Sequence, residues 1–268
     1  MSMISRWDDF ARLTVQTGDL DPMYDMMAKA RQIKGDRWIN RYALHFFMFY
    51  DAGGAARCAN DDTPFWSYVT NGYHLFRRGT ERRHFRGDNG KTAVVSIQLK
   101  GEPEAVWSRM SAPTYTNLLA NINQNFQQCQ IGPYFAWKAM DILDRCLGFP
   151  VILTRAEAVK GIPDQPKECA KAVFPHLSLG DALDTVVDAI KDLPAPGVDN
   201  RNCGYSEAET VLCMLKGYFI TKTHTIGDDV DEKHEQMKDF PDLCELLPTK
   251  QNWSKYERGP LDTTSLPA

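Results

Sequence analysis

Along most of the chain, apolar residues recur at spacings of three and four, the period of helices with one buried face. Asp21-Pro22 sets an N-cap before a proline at the first helical position and predicts a helix running to about Lys34. The same period predicts helices over Asp36 to Tyr50, Thr63 to Tyr73, Glu102 to Met110, Thr114 to Gln128 and Pro133 to Leu147. Leu179 to Leu193, Ser206 to Ile220 and Asp228 to Phe240 read the same way. Only Ala93 to Leu99 alternates as a strand does, and one strand makes no sheet. The expected architecture is therefore all-α, with at most a minor β element: a single helical domain over residues 1–248 and a polar tail over 249–268. Leu193 to Asn202, with two prolines and a glycine, is the best candidate for a linker, and no internal repeat is visible.

Two helices carry polar residues in register. In the segment Pro133 to Leu147, Phe135, Ala139, Ile142 and Cys146 form an apolar stripe, and Tyr134, Lys138, Asp141 and Arg145 form a second one beside it. A surface ladder of ion pairs explains the second stripe, each pair contributing about 0.2–0.5 kcal/mol. The Ile131-Gly132-Pro133 opening adds another reading, because a Gly-Pro turn leaves free N–H groups that can hold a phosphate. In the second helix, Ser206 and Glu209 match a capping box, Glu209, Cys213 and Lys216 share a stripe, and the exit carries His224.

Charge changes the picture locally. The net charge of the 268 residues is −4, yet residues 77–86 read Arg-Arg-Gly-Thr-Glu-Arg-Arg-His-Phe-Arg, with five arginines and a histidine. Guanidinium forks match phosphate oxygens, so this run predicts an anion site on an otherwise acidic chain. The longest apolar stretch, around Tyr42 to Tyr50, is too short to cross a bilayer, and Met1 to Phe10 lacks the apolar core of a signal peptide, which predicts an intracellular protein. Seven cysteines form no CxxC pair or zinc spacing, so reduced thiols and no structural metal are expected. There is no GxxxxGK[ST] loop, no GxGxxG and no HExxH, which argues against ATP hydrolysis, dinucleotide binding and the common zinc hydrolases.

Taken together, three segments resemble the bacteriophage amino acid:DNA transferases of thymidine hypermodification, the α-glutamyl/putrescinyl thymine pyrophosphorylases. They are Arg-Gly-Thr-Glu-Arg-Arg-His-Phe-Arg-Gly, Ile-Gly-Pro-Tyr-Phe-Ala-Trp-Lys-Ala-Met-Asp-Ile-Leu-Asp-Arg and Glu-Ala-Glu-Thr-Val-Leu-Cys-Met-Leu-Lys-Gly. The resemblance spans about Arg37 to Phe240; Ile131, Tyr134 and Trp137 are conservative departures from the family's middle motif. It implies a scaffold shared with the helix-hairpin-helix DNA glycosylases. It also implies an enzyme that acts on double-stranded phage DNA in the cytoplasm of the infected bacterium. A kinase turns 5-hydroxymethyluracil in that DNA into its 5-pyrophosphoryloxymethyl form, and the transferase then replaces pyrophosphate with a free amino acid.

That chemistry assigns roles to the residues above. Arg78, Arg82, Arg83 and Arg86 with His84 suit the departing pyrophosphate, whose charge needs fixed cations. The incoming amine must lose a proton, so a carboxylate base is required, Asp141 first and Glu209 second. Lys138 and Lys216 suit a carboxylate or the DNA backbone, and His224 joins the phosphate-binding set. Cys213 offers a covalent route through C6 of the pyrimidine, weighed below direct displacement. Phe85, Tyr134 and Trp137 could stack on a flipped base. Mg²⁺ commonly accompanies pyrophosphate, although no acidic cluster in the sequence demands it. Two rivals remain open: a glycosylase-like base-flipping enzyme, and a noncatalytic DNA-binding protein.

Overall fold

Local signals account for most of the helices. The computed structural model describes residues 2–77, 85–129, 132–198, 200–262, 264 and 266. Strand β1 (Ser2–Ile4) leads into α1 (Trp7–Gln16), and α2 (Pro22–Lys34), α3 (Asp36–Phe49), α4 (Ala52–Asn60) and α5 (Phe65–Gly72) follow in quick succession. Next come α6 (Gly87–Gln98), α7 (Pro103–Met110), α8 (Tyr115–Phe126) and α9 (Pro133–Arg145). The chain continues through α10 (Arg155–Gly161), α11 (Asp164–Val173), α12 (Leu179–Ile190) and α13 (Tyr205–Leu215), the last running on as a π-helical turn, Lys216–Ile220. It closes with α14 (Asp228–Gln236), α15 (Pro241–Cys244) and β2 (Tyr256–Arg258).

The fold is all-α with one small two-stranded sheet among the described residues. Ala93 to Leu99, expected as a strand, lies almost entirely within α6. Ala93, Val94 and Ile97 are its buried residues, and their spacing is that of a helix face. Several helices escaped the sequence reading. In α4 the residues are mostly small and nearly all buried, so no polar face marks its period. No helix among the described residues is long and apolar enough to cross a membrane.

The chain falls into two compact units. The first comprises residues 1–25, 153–233 and 247–268, the second residues 26–152 and 234–246. In the first unit β1 and β2 pair in parallel, Ser2 opposite Tyr256 and Ile4 opposite Arg258, which returns the C-terminal segment to the N-terminus. There α1 packs on α12 and α13, while α11 packs on α13.

The second unit is built around α3, against which α4, α7 and α9 pack. Only a few of its residues reach solvent; Ile39 and the run Tyr42 to Phe49 are buried. Phe47 lies 5.6 Å from Trp107 and 5.7 Å from Phe135, ring centre to ring centre, and Phe85 joins the cluster 5.3 Å from Phe135. Arg41 donates to the carbonyls of Cys58, Asp61 and Thr63 at 2.8–2.9 Å, closing the open end of α4.

One close approach fixes the segment that follows the arginine run. The Tyr73 hydroxyl donates to the carbonyl of Phe85 at 2.6 Å and that of Gly87 at 3.2 Å. Gly87 has φ +60°, a left-handed conformation that glycine adopts without strain. At Gly90 any side chain would collide with the Phe85 backbone and the Tyr73 hydroxyl. Gly90→Ala should therefore destabilise the protein by about 1–3 kcal/mol despite alanine's better helix propensity, read as a lower urea midpoint.

Candidate functional site

The sequence-predicted site residues divide between the two units. Arg78, Arg82, Arg83 and His84 lie outside the described residues. Phe85, Arg86, Tyr134, Trp137, Lys138 and Asp141 belong to the second unit, and Glu209, Cys213, Lys216 and His224 to the first.

In the second unit, Arg86 is the N-cap residue of α6. With Tyr73, His74, Gly87 and Lys91 it lines an open pocket of about 440 Å³. Three basic side chains thus surround the start of a helix whose N-cap residue makes no side-chain capping bond, an arrangement that suits an anion. Lys91 is partly engaged by Asp88 at 3.5 Å, but both side chains are well exposed and the pair is weak. His74 and Lys91 were not picked out from the sequence. Their signal was slight, one histidine before the arginine run and one lysine after it.

Gly132 is the N-cap residue of α9 and Pro133 its first residue, as the Gly-Pro signal predicts. The polar stripe of this helix does not face water. Asp141 and Arg145 are buried, and their charges meet at 3.5 Å, while Lys138 Nζ stands 3.6 Å from the other Asp141 oxygen. Lys138 retains slight exposure and is the member of the ladder nearest solvent. Each ion pays a desolvation penalty here, which the pairing with Asp141 offsets. Phe85 and Trp137, expected to stack on a base, are enclosed; Phe85 packs against Phe47, Phe49 and Phe135, and Trp137 against Tyr115. Tyr134 is half-buried.

In the first unit, Glu207 performs the capping expected of Glu209. It accepts from the Gly204 N–H at 2.8 Å, and Arg201 grips it through two hydrogen bonds of 3.0 and 3.1 Å. The N-cap is Gly204, two residues before the expected Ser206, and the shift releases Glu209, itself buried, from that role. Cys213 lies beside Cys169 of α11. The hydrogen bond between the two thiols holds the Cys169 thiol below its ordinary value despite burial, and Lys216 adds to the effect. Lys216 Nζ also lies 3.8 Å from Glu168. Cys169 is far from Cys213 in sequence, and nothing in the local pattern announced it.

His224 follows the π-helical turn and is ringed by acids. Its Nε2 lies 3.6 Å from Asp19 and its Nδ1 3.8 Å from Asp228. Asp19 is buried and accepts the N–H groups of Gly227, Asp229 and Val230 at 2.8–3.2 Å, capping α14 from a distant loop. Burial opposes a charged imidazole, but Asp19, with Asp229 and Asp228, outweighs it and raises the His224 pKa. Burial also pushes the Asp229 carboxyl up to about 7, against the pull of His224 and Lys233. Among the described residues no group of three or more His, Cys, Asp or Glu is placed to hold a metal ion.

No family model matches the chain. Similar proteins nonetheless align with nearly all of it. The putrescinyltransferase of Delftia phage PhiW-14 is 27% identical over 258 residues, covering 90% of this chain and 81% of the relative. The glycinyltransferase of Pseudomonas phage PaMx11 is 24% identical over 288 residues, covering 94% of this chain and 92% of the relative.

Two outcomes follow from these geometries. Asp141→Asn keeps the shape but removes the carboxylate charge that Lys138 and Arg145 both face, and should cost about 3–5 kcal/mol in denaturant unfolding. Asp229 and His224 both titrate higher in the folded chain than in the unfolded one, so each contributes stability at low pH that is lost as pH rises. The Asp229 share is complete below its ordinary value of 3.8 and is lost by about pH 7. Asp229→Asn, neutral at every pH, should flatten the decline of melting temperature between pH 4 and 7.

Proposed function

We propose that this protein displaces pyrophosphate from a 5-pyrophosphoryloxymethyl pyrimidine in phage DNA and attaches an amino acid or amine in its place, a step in thymidine hypermodification. What carries this reading is the near full-length match to two phage transferases with different groups in their names, putrescinyl and glycinyl. Putrescine and glycine share a primary amine, and only glycine has a carboxylate. The shared amine is the nucleophile, and donor choice falls to whatever surrounds the rest of the molecule.

The reaction needs cations where charge develops on the leaving group. The pocket at the start of α6 supplies Arg86, His74 and Lys91, and Arg78, Arg82, Arg83 and His84 adjoin it in sequence. The bond from the exocyclic carbon to the pyrophosphate oxygen breaks, the electron pair leaves on oxygen, and the amine nitrogen bonds to that carbon. The amine must arrive unprotonated, or lose its proton to a carboxylate as it attacks.

Burial of Asp141 between two cations favours a positioning role, holding Lys138 toward the surface to meet a phosphate or a donor carboxylate. Glu209, relieved of capping, is the alternative base. Cys213 would add to C6 in the covalent route, and its neighbour Cys169 is the thiol whose ionisation is favoured. Phosphate contacts from Lys216 and His224 complete the assignment. The proposal includes a kinase acting on 5-hydroxymethyluracil in DNA as the source of the substrate, and the host cytoplasm during infection as the place of the reaction.

The test is to incubate the protein with DNA carrying 5-pyrophosphoryloxymethyluracil and a mixture of amino acids and putrescine, then digest and weigh the nucleosides. A nucleoside heavier by one donor residue is expected, and Arg86→Ala should lower its rate of formation about 100-fold. Loss of the base would reveal a glycosylase, and unchanged DNA that still binds would reveal a noncatalytic binding protein.

A further inference from the structure

A second cavity in the same unit shares the short helix Tyr73–Leu75 with the anion pocket, Leu75 lining the one and Tyr73 and His74 the other. It has a volume of about 550 Å³ and is lined by Asp51, whose carboxylate caps α4 at the Gly54 N–H, by residues of α4 and α5, by Thr63 and by Leu75, Phe76 and Arg77. That volume falls in the range of small-molecule sites and suits one nucleotide, far too small for a stacked duplex.

Its chemistry is mixed in a specific way. Tyr68 and Phe76 line it and stack on each other at 5.8 Å with 16° between their planes. Phe76 also packs against His45 at 4.7 Å and Phe49 at 5.0 Å, which ties its ring to α3. Asn71 adds an amide, the one side-chain group that offers a donor and an acceptor side by side, matching the N3–H and O4 edge of uracil or thymine. Arg57 and Arg77 add two guanidinium groups suited to phosphate. The only ion pair of Arg57 among the described residues is with Asp239, at 3.6 Å and with both side chains largely in solvent, so the guanidinium is readily recruited.

We propose that this cleft holds the target pyrimidine nucleotide of DNA after it has left the stack. The ring would lie against Tyr68 and Phe76, the Asn71 amide would read its edge, and Arg57 and Arg77 would take the flanking phosphates. The helix Tyr73–Leu75 gives Leu75 to this cleft and Tyr73 and His74 to the anion pocket beside Arg86, so a substituent at C5 would be directed from one to the other. The inference rests on the transferase reading for the identity of that substituent, but the base pocket stands on its own lining. None of these residues except Arg77 lies in the motifs that marked the chain at the sequence level.

The test uses the full chain and a short DNA duplex carrying a single 5-iodouracil, irradiated at long wavelength, with the crosslinked peptides mapped by mass spectrometry. Attachment at Tyr68 or Phe76 is expected, with yield falling about tenfold in Asn71→Ala and Arg77→Ala, the loss of one good hydrogen bond to a charged or planar partner. Circular dichroism of the two variants, both changed at exposed positions, should match that of the wild type. Attachment at Tyr134 or elsewhere, or none to either ring while DNA remains bound, would overturn the cleft assignment. The transfer assay run alongside separates the two ideas: transfer without crosslinking in the cleft sinks only this inference, and crosslinking in the cleft without transfer sinks only the transferase reading.

Discussion

A helix with scarcely any polar face has to be enclosed, and α3 imposes that requirement on the second unit. Its buried run from Tyr42 to Phe49 draws in α4, α7 and α9. Phe47 and Phe49 each contact Phe85, which sits one residue before Arg86. Phe49 and His45 also brace Phe76, one residue before Arg77. The arginine run is thus anchored at both ends by aromatic residues packed on a single helix. Arg77 and Arg86, exposed at its two ends, gain a fixed address from the apolar packing of their neighbours.

The same unit tolerates charge in its interior. On α9 the carboxylate of Asp141 stands between Lys138 and Arg145, with two of the three groups out of water. Apolar replacements of similar volume would often be no less stable, so such a ladder is weak evidence for stability and better evidence of a role. The first unit repeats the theme with other residues. Asp19 caps α14 across a long sequence separation and also governs His224, while Glu207 caps α13 and takes the fork of Arg201. In each case a buried carboxylate is satisfied by several donors, which fixes the loops bearing the exposed polar groups.

Chemistry and recognition draw on different kinds of residue. Leaving-group stabilisation calls for fixed cations, and these cluster around the start of α6. The proposed recognition of a base calls for flat apolar surface with one polar edge, the chemistry that Tyr68, Asn71 and Phe76 bring to the cleft. Amine activation calls for a carboxylate, and the structure narrows its candidates by burial and by capping: Asp141 is engaged on both sides by cations, and Glu209 has lost its capping duty to Glu207.

Helix period, the proline and glycine signals and the crowding of arginines are local properties, and they were legible in the chain. Pro22, Gly132 and Pro133 open helices where the sequence indicates, and the polar ladder of α9 is visible as a stripe. Period alone says which residues share a face; it does not say what that face meets. Burial of the Lys138, Asp141 and Arg145 stripe, the pairing of Cys169 with Cys213, the helical state of Ala93 to Leu99 and the cleft between α4 and α5 all depend on neighbours remote in sequence. The sequence by itself determined an all-α chain with a dense run of arginines. Only the tertiary structure decided which charges were taken out of water, because desolvation is set by what packs across a face and not by the order of residues along it.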